Sequence, residues 1–228
     1  MNKNSELEKT IPSPSGKSSG SGAKKILVID NYDSFVYNLV HYLEDLDCEV
    51  TIRRNDQLQL EDVENFDKIL LSPGPGIPSE AGLLKPIIEK YGPTKSIFGV
   101  CLGQQAIGEV FGGKLGNLEA VYHGVATSIK LCVKDEPVFK DLPDDLKVGR
   151  YHSWVVLKEL PEVLEATSYD ESGQIMSLRH REFDVRGVQF HPESVLTPEG
   201  KKMIENWVNS PSPKKAGEAE ASPEKTEV

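Results

Sequence analysis

The first half of the chain alternates between continuous apolar runs and segments with helical periodicity. Residues 25–30 (KILVID) form an apolar run of the kind that is buried on both faces of a parallel sheet. The segment that follows has apolar residues at helical spacing: Phe35, Leu39, Val40 and Leu43. Because Asp and Ser are favoured at helix N-caps, Asp33 or Ser34 is the expected N-cap. The pattern predicts a strand followed by an amphipathic helix.

The same alternation continues towards the middle of the chain. Strands are predicted at 50–52, at 68–72 and directly before residue 101, and helices are predicted over 81–91 and 104–111. Strands that alternate with helices indicate an α/β fold. We therefore expect an open, mainly parallel, twisted sheet with helices on both faces.

From about residue 125 the pattern changes to short β-like runs without helices between them. These runs lie at 127–133, 155–157, 164–167, 174–178 and 185–190. A last helix is expected over 198–208, where it would pack through Met203, Ile204 and Trp207. The second half is therefore predicted to be β-rich and to join the same sheet.

Both ends of the chain have a different composition. Residues 1–23 are rich in Ser, Gly, Lys and Pro, and residues 211–228 are rich in Pro, Ala, Glu and Lys. Such segments bury too little apolar surface to fold, so we expect disordered tails there and one domain over 24–210. A transit peptide is the alternative for the first tail, but Glu6, Glu8 and the lack of arginine weigh against it.

Composition and charge narrow the possible partners. The 228 residues carry a formal net charge of −10, and 38% of them are hydrophobic, which suits one soluble domain. The acidic balance, without a cluster of basic residues, argues against nucleic acid. No apolar run approaches the roughly 20 residues that cross a bilayer, and the first residues lack the apolar core of a secretory signal. We expect a cytoplasmic protein without membrane association.

Of the three cysteines, Cys101 has the most informative surroundings. An odd number without CxxC spacing suggests neither a disulfide framework nor a zinc site, and Cys48 and Cys132 are expected to be packing residues. Cys101 lies between glycines in the segment GVCLG, after an apolar run and before a helix-like stretch. Glycines leave room for a sharp strand-to-helix turn, and a helix N-terminus favours thiolate over thiol. This pattern predicts a nucleophile elbow, with a small buried cysteine as the structural alternative.

A histidine and a carboxylate complete a catalytic set. The β-like run 187–190 leads to His191, and Glu193 follows two positions later. In an extended segment these two side chains would point to the same side, so that Glu193 could orient the imidazole. Nucleophile, base and orienting acid are then all present. A strand-end histidine and a solvated turn glutamate are the structural alternatives.

The segment 72–78 (SPGPGIP) is a rigid turn after a predicted strand. It lacks the lysine and hydroxyl residue of a P-loop and does not match GxGxxG, so it does not indicate nucleotide binding. Carboxyl ends of parallel strands form the ligand crevice in open α/β sheets. The N–H groups of Gly76 and Leu102 are therefore candidate oxyanion donors, and a tight connector without a ligand is the alternative.

These segments, in this order, resemble the class I glutamine amidotransferases over residues 24–208. Within that class the chain is most similar to the glutaminase subunits, or component II, of anthranilate synthase and aminodeoxychorismate synthase. The resemblance rests on five stretches: 29–35 (IDNYDSF), 72–82 (SPGPGIPSEAG), 149–153 (GRYHS), 179–181 (RHR) and 187–194 (GVQFHPES). It implies a flavodoxin-like sheet and hydrolysis of glutamine.

The resemblance also implies a role for each matching residue. Cys101 attacks the amide of glutamine, His191 protonates the departing ammonia and then activates water, and Glu193 holds His191. Residues that contact glutamine or its oxyanion are Gly74, Pro75, Gly76, Leu102, Gln105 and the backbone at Ser153 and Trp154. No spacing among the histidines suggests a metal. The family pattern usually has His at Gln104, Leu at Trp154 and often Lys at Val125; none of these departures affects the triad.

The resemblance implies that a separate, Mg-dependent synthase subunit (component I) uses chorismate, and that this chain itself holds no cofactor. Ammonia released here would make anthranilate for tryptophan biosynthesis, or aminodeoxychorismate for folate biosynthesis. The two synthases are a lyase and a transferase respectively. The alternatives are a γ-glutamyl hydrolase with the same thioester chemistry and a non-catalytic regulatory subunit, which the intact set of Cys101, His191 and Glu193 disfavours.

Overall fold

A computed structural model describes residues 22–119 and 121–213. Within these ranges there are eleven strands: β1 (Lys25–Asp30), β2 (Glu49–Arg54), β3 (Lys68–Leu71), β4 (Ser96–Val100), β5 (Leu115–Asn117), β6 (Val125–Leu131), β7 (Asp145–Arg150), β8 (Trp154–Val156), β9 (Leu164–Asp170), β10 (Ile175–His180) and β11 (Val185–Val188). The same ranges contain four α-helices: α1 (Val36–Asp45), α2 (Leu84–Tyr91), α3 (Leu102–Val110) and α4 (Gly200–Asn209). Short 3₁₀ helices lie at Leu60–Asn65, Pro78–Glu80 and Pro137–Phe139.

Nine strands form one mixed sheet in the order β2-β1-β3-β4-β11-β10-β9-β6-β7. The pairings from β2 to β11 are parallel, and those from β11 to β7 are antiparallel. The predicted α/β sheet with a β-rich C-terminal half is therefore confirmed. The predicted run at 155–157 does not join this sheet, because β8 pairs with β5 in a separate two-stranded sheet.

Helices cover both faces of the sheet, as the sequence predicts. Along β1, Ile26 and Val28 pack in one hydrophobic cluster, and Leu27 and Ile29 pack in the other. This division follows from the alternation of side chains along a strand. Helices α1 and α4 contribute to the first cluster, and α2 and α3 contribute to the second. The buried residues of α4 include the predicted Met203, Ile204 and Trp207.

Several predicted boundaries are wrong by a few residues. Helix α1 begins after Phe35, and neither Asp33 nor Ser34 is its N-cap. The Asp33 carboxylate instead accepts a hydrogen bond from the N–H of Phe35 at 2.7 Å, a local turn that delays the helix. The side chain of Phe35 is exposed and does not belong to the core.

The predicted tails lie outside the described residues except for 22–23 and 211–213. None of the helices in the described ranges has the length or the apolar composition that crossing a bilayer requires.

Candidate active site

Cys101 forms the turn between β4 and α3. Its backbone has φ 52° and ψ −99°, in a region that residues with a Cβ rarely adopt. The turn is held from both sides: the N–H of Cys101 donates to the carbonyl of Val188 at 2.8 Å, and its own carbonyl accepts from the N–H of Gln105 at 3.0 Å. The predicted elbow is therefore present, with the thiol at the N-terminus of α3.

The two glycines of GVCLG make this turn possible. A Cβ at Gly99 would lie 2.5 Å from the carbonyl carbon of Gly103, and a Cβ at Gly103 would lie 2.6 Å from the carbonyl oxygen of Leu71. Real Cβ contacts are never that short, so larger residues would push α3 away from β3 and β4. The predicted role of the glycines, to leave room for the elbow, is confirmed.

His191 and Glu193 form a buried pair. Nδ1 of His191 lies 2.6 Å from Oε1 of Glu193, and both residues are less than 5% exposed. The geometric argument from the sequence was wrong, however, because the segment is not extended. The N–H of Ser194 donates to the carbonyl of His191 at 3.2 Å, and the intervening residues form a turn. The turn, and not strand alternation, brings the two side chains together.

The imidazole of His191 is arranged to carry a proton. Burial acts to lower the pKa of His191, but the contacts of the ring with Cys101 and Glu193 outweigh burial and raise the pKa to about 10. Oε2 of Glu193 has no hydrogen-bond partner within the described residues, and Nε2 of His191 has none besides the thiol of Cys101. The ring of Tyr151 packs edge-on against His191, with 4.9 Å between centroids, and Phe35 lies at 6.4 Å. Because Nδ1 is held by Glu193, Nε2 is the nitrogen left for Cys101 and for a bound reactant, and the ring is protonated beside the sulfur.

The Pro-Gly loop after β3 lies against the start of α3. A Cβ at Gly74 would lie 2.9 Å from Cδ2 of Leu102 and 2.6 Å from the carbonyl oxygen of Asn31. Pro75 and Gly76 are exposed, and Gly76 has φ 76°. The structure thus brings the predicted loop and Leu102 together at the carboxyl ends of β3 and β4.

A buried amide network holds this loop in place. Nδ2 of Asn31 donates to the carbonyl of Ser72 at 2.8 Å, and the N–H of Asn31 donates to Oγ of Ser72 at 2.9 Å. Nδ2 of Asn55 donates to Oδ1 of Asn31 at 3.0 Å. From the sequence, Asn31 is identified only within the stretch 29–35 that carries the family resemblance. Its role in anchoring the loop was missed, because Ser72 is 41 residues away along the chain.

The residues predicted to bind glutamine already contact one another. Nε2 of Gln105 donates to the carbonyl of Trp154 at 2.9 Å and to Oε1 of Gln189 at 3.3 Å. The carbonyl of Ser153 accepts from the N–H of Leu118 at 2.7 Å. The carbonyl of Trp154 also accepts from Nδ1 of His152 at 3.0 Å, so a ligand contact with the backbone of Trp154 would use its N–H group.

One residue beside the thiol was missed by the sequence analysis. Nε2 of Gln189 lies 3.5 Å from Sγ of Cys101, and Gln189 is fully buried. Strands β4 and β11 are parallel neighbours in which Val100 is opposite Val188, so the residues that follow these two valines are adjacent. The sequence contains both strands but does not show that they pair.

Two other titratable side chains, His152 and Cys48, are buried in the fold. Burial and the charge of Arg150 lower the pKa of His152 to about 3, so that this ring is neutral. Burial raises the pKa of Cys48 to about 11. Cys132 is exposed, which contradicts its predicted role in packing. In the described ranges, no group of three or more His, Cys, Asp or Glu side chains is placed to hold a metal ion.

The departures from the family pattern lie at or near this site but outside the triad. Gln104 is fully buried, and neither polar atom of its amide has a hydrogen-bond partner in the part of the chain that the structure describes. Trp154 is partly buried at the start of β8, where its carbonyl accepts from Gln105. Val125 begins β6 and is exposed.

Sequence comparison identifies relatives over nearly the whole described region. The family described as glutamine amidotransferase class-I matches residues 27–210. The chain is 45% identical to anthranilate synthase component 2 of Thermus thermophilus, over 84% of this chain and 95% of that protein. It is 43% identical to aminodeoxychorismate synthase component 2 of Escherichia coli, over 81% of this chain and 99% of that protein.

Two further matches are informative about length and fold. The chain is 46% identical to the bifunctional protein TrpGD of Thermotoga maritima, over 82% of this chain but only 32% of that longer protein. The crystal structure of a Thermoplasma acidophilum protein, proposed to be part of a GMP synthase, has a TM-score of 0.75 at 23% identity and covers 83% of this chain and 94% of its own. At that identity the structural match supports the fold alone.

Proposed function

The chain belongs to the class I glutamine amidotransferases, and from this we propose that it is the glutaminase subunit of a chorismate-using synthase. The observation that carries the mechanism is the buried pair of His191 and Glu193, whose imidazole contacts the thiol of Cys101. This arrangement provides a nucleophile, a proton donor and an orienting carboxylate for acyl transfer.

In the first step His191 holds the proton of Cys101, and the Cys101 thiolate attacks the side-chain amide carbon of glutamine. A carbon–sulfur bond forms, the carbon–nitrogen bond breaks, and the departing nitrogen takes the Nε2 proton of His191 and leaves as ammonia. Glu193 stabilises the imidazolium before this transfer through its contact with Nδ1. The raised pKa of His191 supports this role, because the ring enters the reaction protonated.

In the second step the neutral His191 accepts a proton from water, and the water oxygen attacks the thioester carbon. The carbon–sulfur bond breaks, glutamate leaves, and Cys101 returns to the thiolate with His191 protonated. The balance is glutamine plus water to glutamate plus ammonia. Splitting amide hydrolysis through a thioester replaces one difficult step with two easier ones.

Both steps place negative charge on the former amide oxygen. We assign its stabilisation to the N–H groups of Leu102 and Gly76, within the loop that Gly74 and Pro75 complete. The approach of Gly74 to Leu102 supports this assignment. Gln105 and the N–H groups of Ser153 and Trp154 would bind the rest of the glutamine molecule.

The partner is proposed to be a separate component 1 that binds chorismate and receives the ammonia. The relatives named component 2 of anthranilate synthase and of aminodeoxychorismate synthase support this division of labour. Anthranilate is the first candidate product, and aminodeoxychorismate is the second because of the Escherichia coli relative.

The triad supplies nucleophile, acid and base, so we propose that this subunit needs no cofactor of its own, and that the Mg dependence belongs to component 1. Free thiols stay reduced in the cytoplasm, which we propose as the compartment.

Reconstitution with each candidate component 1 tests the proposal. The complex is supplied with chorismate and either glutamine or ammonia, and the aromatic product is identified. Cys101→Ala is expected to abolish glutamine-dependent synthesis and to leave ammonia-dependent synthesis intact, and Cys132→Ala is the matched control that keeps both. Loss of both activities in Cys101→Ala would contradict the division of labour. Hydrolysis of γ-glutamyl peptides without any synthase would instead support the hydrolase alternative.

A further inference from the structure

We propose that Gln189 is part of the catalytic machinery, because its side-chain amide donates a hydrogen bond to Sγ of Cys101 and stabilises the attacking thiolate. The inference deepens the proposed function and rests on it, since it concerns the nucleophile of that reaction.

The contact joins two buried groups. Nε2 of Gln189 lies 3.5 Å from Sγ of Cys101, within the range of a hydrogen bond to sulfur. Gln189 is fully buried and Cys101 is 5% exposed. A donor that is already in place beside a buried sulfur strengthens the anion without reorganisation, because water does not compete for it.

A chain of hydrogen bonds determines which end of the Gln189 amide faces the sulfur. The carbonyl oxygen of Trp154 can only accept, so the atom of Gln105 that contacts it at 2.9 Å is the amide nitrogen. The same nitrogen lies 3.3 Å from Gln189, so the atom of Gln189 there is the oxygen. The amide nitrogen of Gln189 is thereby directed at Sγ, which must accept.

The hydrogen bonds at the other end of this series, at Arg150 and His152, are equally constrained. Arg150 has donors only, so Nε2 of His152, at 3.0 Å from its Nε, accepts. Nδ1 of His152 then carries the proton and donates to the carbonyl of Trp154 at 3.0 Å. Arg150 is itself held by Asp170 at 2.7 Å. Every step from Arg150 to Cys101 therefore has its donor and acceptor determined by chemistry.

The sulfur is thus approached by two kinds of group. Gln189 is a neutral donor on one side, and the imidazolium of His191, held by Glu193, is the charged group that contacts the thiol. A neutral amide adds stabilisation of the anion without an acidic proton that could move to the sulfur. This separates stabilisation by Gln189 from proton transfer by His191.

Gln104 provides a matched comparison. It is the same residue type, it is also fully buried, and it lies three residues after Cys101 on α3. Its amide has no hydrogen-bond partner among the described residues. Gln104→Met and Gln189→Met therefore remove the same group from two neighbouring buried positions, and only the second removes a contact with the thiol.

The test measures alkylation of Cys101 by iodoacetamide in the full chain at pH 7, by peptide mass spectrometry, and glutamine kinetics in the reconstituted complex. For Gln189→Met we expect the alkylation rate and kcat each to fall about tenfold, the factor typical of losing one hydrogen bond to a charged group, with KM for glutamine changed less than about twofold. For Gln104→Met we expect both rates to stay within about twofold of the wild type.

Thermal unfolding verifies that each variant is folded. If Gln189→Met does not fold, Gln189→Leu replaces it, because it also lacks the donor to sulfur and adds no charge beside the thiolate. Wild-type alkylation in the Gln189 variant, or equal loss in both Met variants, would overturn the inference. Alkylation requires no glutamine, so a complex that fails to use glutamine would contradict the proposed function while leaving the alkylation result valid.

Discussion

Two buried sites with charged side chains lie at opposite ends of the parallel strands, and their hydrogen bonding differs. Lys68 begins β3, and its Nζ meets Oγ of Ser96 at 3.1 Å, the carbonyl of Trp207 at 3.0 Å, and the carbonyl and Oγ of Ser210 at 3.1 and 3.3 Å. At the other end, in the turn after β11, Oε2 of Glu193 has no hydrogen-bond partner in the described part of the chain, and Nε2 of His191 has none besides the thiol of Cys101.

The difference distinguishes a structural site from a reactive one. Buried polar groups that only hold the fold are nearly always satisfied, as Lys68 is where it binds the C-terminal end of α4. Unsatisfied groups beside a strained cysteine are available to a substrate instead. Substitutions at the site of His191 and Glu193 should therefore change activity, and substitutions at the site of Lys68 should change stability.

The largest effect is expected for Glu193→Gln. An amide has the same shape as the carboxylate but cannot stabilise the imidazolium, so kcat/KM for glutamine should fall by about 10³–10⁴, as for carboxylate-to-amide changes in other triads. The unfolding midpoint should change little, because Gln can still accept a hydrogen bond from Nδ1. Steady-state kinetics of the complex and thermal unfolding measure both. A large loss of stability with retained activity would show that the site of Glu193 is structural and not reactive.

Lys68→Met should have the opposite profile. Of the oxygen atoms around Nζ, the carbonyl of Trp207 keeps hydrogen bonds from Ser210, and Oγ of Ser96 keeps one from Nε1 of Trp207. The substitution mainly removes the hydrogen bond that the carbonyl of Ser210 accepts from Nζ. We therefore expect a loss of about 1–3 kcal/mol in the free energy of unfolding. Glutaminase kcat should be unchanged. Urea unfolding provides the measurement, and a loss of activity at wild-type stability would contradict the comparison.

The same lysine should make stability depend on pH. Burial lowers the pKa of Lys68 to about 8 in the fold, whereas an unfolded lysine has a pKa of about 10.4. Between these values the unfolded chain binds a proton that the folded chain does not, so stability rises with pH. The free energy of unfolding of the wild type, relative to Lys68→Met, should increase by about 1–3 kcal/mol from pH 7.5 to pH 10. A constant difference across this range would show that Lys68 does not titrate there.

The smallest effect is expected at a surface ion pair that belongs neither to the Lys68 site nor to the His191 site. Nζ of Lys201 on α4 lies 2.6 Å from Oδ2 of Asp45 on α1, but both side chains are more than half exposed. Because water and salt screen such a pair, Lys201→Ala should shift neither the unfolding midpoint nor kcat measurably. Calorimetry of the variant at low and high salt checks this expectation. A clear decrease in the unfolding midpoint of Lys201→Ala at low salt alone would show that this surface pair contributes to stability.

The parts of the site that depend on local sequence were predictable. The elbow at Cys101 follows from a strand, two glycines and a helix within a few residues, and the structure has it where the sequence places it. The pair of His191 and Glu193 was also identified, although the turn at 192–193 brings the two side chains together rather than an extended strand. Short spacings limit where two side chains can lie, even when the local conformation is wrongly predicted.

The parts that depend on strand pairing were not predictable. Gln189 reaches Cys101 only because β11 lies beside β4, and the two residues are 88 positions apart. Asn31 anchors the Pro-Gly loop through Ser72 for the same reason, because β1 lies beside β3. The register between distant strands follows from the packing of the whole sheet, which a single sequence pattern does not specify.

The most direct test of the central claim is to isolate the covalent intermediate. The reconstituted complex is mixed with glutamine, quenched in acid during turnover, digested and analysed by peptide mass spectrometry. The account predicts a γ-glutamyl group on the peptide that contains Cys101, none on the peptides that contain Cys48 or Cys132, and accumulation that depends on Glu193. Glutamate release with no adduct on Cys101 in any quench time, or with the adduct on another cysteine, would contradict it.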